Sequence, residues 1–266
     1  MKIFFWVPSK ITQHHPKMPE YAERQIGRGQ DCARAGIVDD VHYAFVADGH
    51  GSSKCIDALR EINLNELALS ENPCDYVQAR MVALGSTYKS GFTFAFARVR
   101  NNTVQVWTVG DAEARIFFNG VLVHETTPHT FLNEVELART ASLVDFVEMT
   151  KAPFPVSPTR VELVPSPIGH FKNGENLVPS MAFGHDNVTG LEPAFYEATC
   201  DGVIRVVCGS DGFFDMLIDG LDTKTADQLA SEAAERWNQT WEFFDGKTTV
   251  RTTYGGGFDD VAVAIC

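Results

Sequence analysis

Three aspartates in this 266-residue chain stand at the same kind of place. Asp48 ends the run Val46-Ala47-Asp48-Gly49, Asp211 lies in Gly209-Ser210-Asp211-Gly212, and Asp259 lies in Gly257-Phe258-Asp259-Asp260. In each case an apolar, β-favouring segment meets a glycine-bearing turn, and strand ends in one sheet can converge. Carboxylates brought together repel and raise one another's pKa unless a cation neutralises them, and hard oxygen donors suit Mg²⁺ or Mn²⁺. The set therefore predicts a site for two divalent ions. An Asp-Gly pair is also simply a favoured turn, so the three together carry weight that none has alone.

The elements that would hold them are legible around each aspartate. Val41–Ala47 reads as a strand feeding the tight loop Asp48-Gly49-His50-Gly51, Val203–Cys208 as a strand ending at Ser210-Asp211, and Val261–Ile265 as a closing strand. Phe92–Phe96, Thr103–Val109 and Ala114–Phe118 form an antiparallel meander, and Asn119-Gly120 suits a two-residue hairpin turn to Val121 because both residues tolerate positive φ. Helical periodicity runs through Ser52–Leu69, Asp75–Leu84 and Ala226–Trp237. Lys2–Val7, short and β-rich, reads as a strand leading into Tyr21–Gly36, which is polar with glycines and reads as a loop. Lys151–Asn187 is too rich in proline for a continuous helix or a central strand, and reads as an irregular flap over a site.

A composition of 44% hydrophobic and 21% charged residues suits a soluble fold, read as one domain over 1–266. The formal charge of −13 disfavours nucleic acid and anionic membrane as partners and favours cations. The six cysteines have no C-x-x-C pairing or framework spacing, which points to reduced thiols rather than zinc or disulfides. Ile3–Val7, cut by Pro8, is too brief for a signal or a membrane span, so a cytoplasmic monomer is the expectation.

Taken in order, these segments resemble the metal-dependent protein phosphatases of the PPM class, the type 2C serine/threonine phosphatases, over nearly the full length. Gln30-Asp31 resembles the first acidic motif, and Phe45-Val46-Ala47-Asp48-Gly49-His50-Gly51 the most recognisable one. Ser90-Gly91-Phe92-Thr93, Val109-Gly110-Asp111 and Thr127-Pro128-His129-Thr130 are similar to later motifs, as are Ser210-Asp211-Gly212-Phe213-Phe214-Asp215 and Asp259-Asp260-Val261-Ala262-Val263. The resemblance implies an α+β fold, a four-layer α-β-β-α sandwich of two antiparallel sheets flanked by helices. It implies that Asp48 bridges two Mn²⁺ or Mg²⁺ ions, that the Gly49 carbonyl joins one shell, and that Asp211 and Asp259 ligate the other ion. Asp31 would act directly or through water, and Asp111 with Asp211 could form a weaker third site. The substrate would be a phosphoprotein, cleaved at phosphoserine or phosphothreonine by a water between the two ions. His50, beside the proposed ligands, is the candidate general acid, since an imidazolium can donate near neutral pH.

The chain also departs from that pattern. The phosphate-binding arginine of the family would fall at Ile26, with Arg24 and Arg28 on either side, and Arg28 is the favoured replacement. Glu113 and Met181 also stand where the family has arginine, and Asp260 and Ala262 replace the asparagine and threonine of the last motif. The alternative is therefore a phosphatase-like domain of little or no activity that serves as a protein-binding module.

Overall fold

Side-chain alternation along the strands sorts this chain into layers. The computed structural model describes residues 18–50, 53–83, 91–128, 170–172, 175–177, 193–216, 218–237, 240–244, 249–253 and 259–266. One five-stranded sheet has the order β1 (Glu20–Arg24), β14 (Val261–Ile265), β11 (Ile204–Gly209), β6 (Glu113–Phe118) and β7 (Val121–Glu125). The other runs β10 (Ala194–Thr199), β5 (Thr103–Val109), β4 (Gly91–Arg100), β3 (Val41–His50) and β2 (Asp31–Val38). Every neighbouring pair in both sheets is antiparallel. Two small hairpins, β8 (His170–Lys172) with β9 (Glu175–Leu177) and β12 (Thr240–Phe244) with β13 (Thr249–Thr253), complete the strands described.

On β3, Tyr43, Phe45 and Ala47 turn outward and pack with Ile56 and Leu59 of α1 (Lys54–Arg60), Leu67 of α2 (Leu64–Leu69) and Val77 of α3 (Pro73–Ala83). Phe92, Phe94 and Phe96 of β4 join them, fully buried; burying each such ring contributes about 1.5–3 kcal/mol. Val261, Val263 and Ile265 on β14 likewise face outward, against Leu229, Ala230 and Ala233 of α5 (Ala226–Trp237). The alternate residues of both sheets meet in a third core between them, and most are small: Ala33, Ala44, Ala95, Ala97, Ala114, Ala262 and Ala264. Helices, sheet, sheet and helix thus make the four-layer α-β-β-α sandwich that the resemblance implies.

Four local readings need correction. Phe92–Phe118 is not one meander, because β4 and β5 pair in one sheet while β6 pairs with β7 and β11 in the other. Asp48-Gly49-His50 is not a loop but the end of β3, paired with Thr93, Phe92 and Gly91 of β4. Ser52–Leu69 is not one helix but two, because the Asn63 side chain accepts from the backbone N–H groups of Asn65 and Glu66 at 3.1 and 3.4 Å and caps a fresh start at Leu64. Tyr21–Gly36 holds most of two edge strands rather than a loop. Its polarity reflects solvent on the open side of β1 and β2. The hairpin at Asn119-Gly120 forms as expected, with φ of 52° and 80°, and Asn101-Asn102 makes an equivalent turn between β4 and β5. Lys2–Val7, His129 and Met181 lie outside the described residues, as does 151–187 apart from β8 and β9.

Candidate metal centre

The inter-sheet rows of alanine and valine become carboxylates at one end of the sandwich. On β2 the inward row Ala35, Ala33 ends in Asp31, and on β3 the row Ala44, Val46 ends in Asp48. Asp31 and Asp48 stand directly opposite each other in the β2–β3 register, and Thr93 of β4 is opposite Asp48 on its other side. From the facing sheet, the row Val206, Cys208 on β11 leads to Ser210, whose hydroxyl accepts the Ala262 N–H at 3.1 Å. Across the gap between sheets, Ser210 lies close enough to Asp31 to favour its charged form.

Asp211 opens the short helix α4 (Asp211–Phe214), and its Oδ1 accepts the N–H of Gly212 at 2.6 Å. That helix is fixed from behind, because the indole of Trp237 on α5 donates to the Gly212 carbonyl at 2.7 Å. A Cβ on Gly212 would lie 2.2 Å from the Asp260 carbonyl oxygen, so only glycine lets α4 sit this close to the start of β14. Gly49 is held as tightly: a Cβ there would meet Ile56 at 2.4 Å and the Gln30 carbonyl at 2.5 Å. Asp111 follows β5 through Gly110, whose φ of 80° turns the chain back, and is buried.

These carboxylates share one electrostatic neighbourhood. Burial first, and then the charge of Asp211, hold Asp31 well above the usual carboxylate range. Burial raises Asp48 as well, followed by the charges of Asp211, Asp31, Asp259 and Asp111. Asp259 is raised by desolvation, then by Asp211 and Asp31, with a smaller push from Asp215. Asp31, Asp48, Asp111, Asp211 and Asp259 thus lie within reach of one another's charge. Among the described residues, no three side chains close on one point as a finished ligand shell. The donor set nonetheless fits a divalent cation: it is all oxygen, it is buried, and Oδ2 of Asp31 has no hydrogen-bond partner among the described residues.

The remaining candidates are distributed differently. His50 ends β3 with its backbone opposite Gly91, and its side chain lies outside what is described. Arg28 is exposed on the loop between β1 and β2. Arg24 is engaged elsewhere: its Nη2 donates to Asp227 at 2.6 Å and to Ser231 at 2.9 Å on α5. Ile26 is partly buried and packs against the core beneath α5. Glu113 turns to Arg115, 2.7 Å away, whose guanidinium lies 4.5 Å from the centre of the Phe214 ring. Sequence reasoning missed Ser210 and Thr93 as contributors, although their places two residues beyond Cys208 and two before Ala95 would have revealed them by alternation.

No family model and no curated protein matches the chain by sequence. Solved structures do. A serine/threonine phosphatase of S. agalactiae superposes with a TM-score of 0.55 at 17% identity, covering 93% of this chain and 98% of that one. The Mycobacterium smegmatis PPM Ser-Thr phosphatase MsPP gives 0.52 at 16%, covering 94% and 97%. This chain has the PPM phosphatase fold. The catalytic domain of the phosphatase PstP, solved with two manganese ions, is also similar, with a TM-score of 0.52 at 17% identity over 93% of this chain and 96% of that one. The PPM-type sandwich thus accounts for nearly the whole chain. No helix among its described residues is long and apolar enough to cross a membrane.

Proposed function

We propose that this chain hydrolyses phosphoserine and phosphothreonine in proteins, with two Mn²⁺ or Mg²⁺ ions as cofactors. The observation that carries this reading is the group of five carboxylates, four of them buried, at one end of a PPM-type sandwich, which is electrostatically costly without cations. When bound, the ions would supply positive charge to the phosphoryl oxygens and lower the pKa of the attacking water.

The protein's own part is positioning. Asp48, the Gly49 carbonyl, Asp211 and Asp259 would hold the two ions, and Asp31 would act directly or through water. Asp111 with Asp211 would form the weaker third site. The Asp31–Asp48 register fixes two of these groups on rigid neighbouring strands, and the Trp237 bond to Gly212 fixes the helix that carries Asp211. Arg28 would contact the phosphate oxygens, since a guanidinium can donate two parallel hydrogen bonds to them. His50 would give a proton to the departing serine or threonine oxygen. The manganese-bound PstP structure supports a dinuclear site on this fold.

Turnover of a phosphothreonine peptide and of p-nitrophenyl phosphate with Mn²⁺ tests the reading, against Asp48→Asn and Asp211→Asn. Wild type is expected to exceed both variants by at least about a hundredfold, as removal of a charge-stabilising group commonly costs. Equal rates in all three would end the enzyme reading. A second reading, a phosphatase-like module that docks partners without turnover, is favoured by the apolar Ile26 where the family pattern has its phosphate-binding arginine. It predicts peptide binding with no phosphate release in the same assay.

A further inference from the structure

The loop between β1 and β2 is wrapped around a carboxylate from the far end of the chain. Asp260, only 2% exposed, accepts the Gly27 N–H on Oδ1 at 2.6 Å and the Gln30 N–H on Oδ2 at 2.8 Å. Both are charge-assisted bonds to a buried acceptor, about twice as strong as neutral ones. The tethered segment is Gly27-Arg28-Gly29-Gln30, and Gly29 turns it with a φ of 70°. Glycines on both sides of Arg28 would leave its backbone wide freedom without that tether. Each end of the tether is one residue from the acidic centre, since Asp260 follows Asp259 and Gln30 precedes Asp31. Arg28 is exposed, and its guanidinium makes no hydrogen bond or ion pair with the described residues.

We propose that Asp260 is a positioning residue whose carboxylate sets the Gly27–Gln30 loop so that Arg28 grips the phosphoryl group at the rim of the acidic centre. The assignment rests on the phosphatase reading and deepens it. Position 26 itself carries Ile26, partly buried against the core beneath α5. A carboxylate is also the side chain the loop requires. Two N–H groups converge on it, and an asparagine in its place would offer one acceptor and turn an NH₂ toward the other.

The test is a double-mutant cycle of Arg28→Ala and Asp260→Asn. Because the Asp260 charge also bears on Asp31, metal affinity is titrated for every variant and all assays run at saturating Mn²⁺. Arg28→Ala is expected to raise KM for a phosphothreonine peptide about tenfold, the weight of one charge-assisted hydrogen bond, with a smaller change in kcat. Arg28→Lys should recover only part of it. Asp260→Asn should raise KM about five- to tenfold alone and less than about twofold in the Arg28→Ala background, since residues acting as one unit are not additive. In wild type the amides of Gly27 and Gln30 should exchange slowly with solvent, and in Asp260→Asn quickly.

A full Asp260→Asn effect in the Arg28→Ala background would overturn the proposal, and so would slow exchange of both amides in Asp260→Asn. Peptide affinity is also measured by calorimetry, independently of turnover. If wild type binds phosphopeptide but releases no phosphate, the catalytic reading falls while the Arg28 assignment stands or falls on that affinity. Should Asp260→Asn fail to fold, Arg28→Ala on its exposed loop still decides, because unchanged peptide affinity there refutes the grip.

Discussion

Replacing Asp48 with asparagine should make the metal-free protein more stable and the metal-supplemented protein less so. Asp31 and Asp48 face each other across an antiparallel pair, where opposed Cα atoms sit about 4.5–5.5 Å apart. Two full charges about 5 Å apart at an effective dielectric near 20 repel by about 3 kcal/mol. Partial protonation reduces that cost, because burial and the neighbouring charges hold both groups well above their usual range. A net gain of about 1–3 kcal/mol follows at neutral pH without metal, or roughly 2–12 °C in melting temperature for a chain of this size. The assay is thermal and urea unfolding in EDTA, repeated across a Mn²⁺ titration. Wild type should rise with Mn²⁺ as a ligand bound only by the native state requires, while Asp48→Asn should rise little.

The pH dependence of the metal-free protein has a definite sign. A carboxylate whose folded-state pKa is raised binds protons more tightly folded than unfolded, so stability falls as pH rises from the unfolded value near 3.9 through the raised one. Asp48→Asn should flatten that slope. A variant less stable than wild type in EDTA by more than about 1 kcal/mol would refute the reasoning, because Asp48 would then be a structural hydrogen-bonding group rather than a strained ligand.

Ile26→Arg, which restores the arginine of the family pattern, should lower stability by about 1–3 kcal/mol and leave kcat/KM no higher, since position 26 packs into the core; urea midpoints and peptide kinetics check both. Gly49→Ala should reduce Mn²⁺ affinity and melting temperature together, because its Cβ would meet Ile56 and the Gln30 carbonyl at 2.4 and 2.5 Å, and calorimetric titration reads the first. Native thiol labelling at pH 8 should modify Cys200 first, because it is the partly exposed thiol. Cys32, Cys74 and Cys266 should stay unlabelled until unfolding, as burial pushes their thiols up to about 12.

How far the sequence discloses this site depends on what kind of signal each residue leaves. Asp211 follows an apolar strand and Asp48 lies near the end of one, and both places are visible as a change in pattern. The layer order was not readable from alternation alone, because the inward rows are alanine and the outward rows phenylalanine and valine, both apolar. It came with the family resemblance. Asp31 sits at the start of an edge strand whose solvent-facing residues make it look like a loop, so its place opposite Asp48 needed the register. The helix break at Asn63 was hidden for a different reason. Ile56, Leu59, Leu64 and Leu67 keep helical spacing across it, and only the cap shows that the chain restarts there.

Asp259 and Asp260 show where a motif stops being informative. The two are chemically identical neighbours, yet the backbone sends one toward Asp211 and Asp31 and the other toward two amide groups of a loop more than two hundred residues away in sequence. The first meets like charge and wants a cation; the second meets N–H dipoles and is satisfied by them. Exchanging the second for asparagine keeps its shape and removes one acceptor, whereas exchanging the first removes charge where cations would bind. The same conservative substitution, made one residue apart, should therefore separate phosphate grip from metal affinity, and kinetics at saturating Mn²⁺ set beside a Mn²⁺ titration would show it. Parallel losses of both properties in both variants would mean that the pair acts as one acidic patch and that the loop contact to Asp260 is incidental.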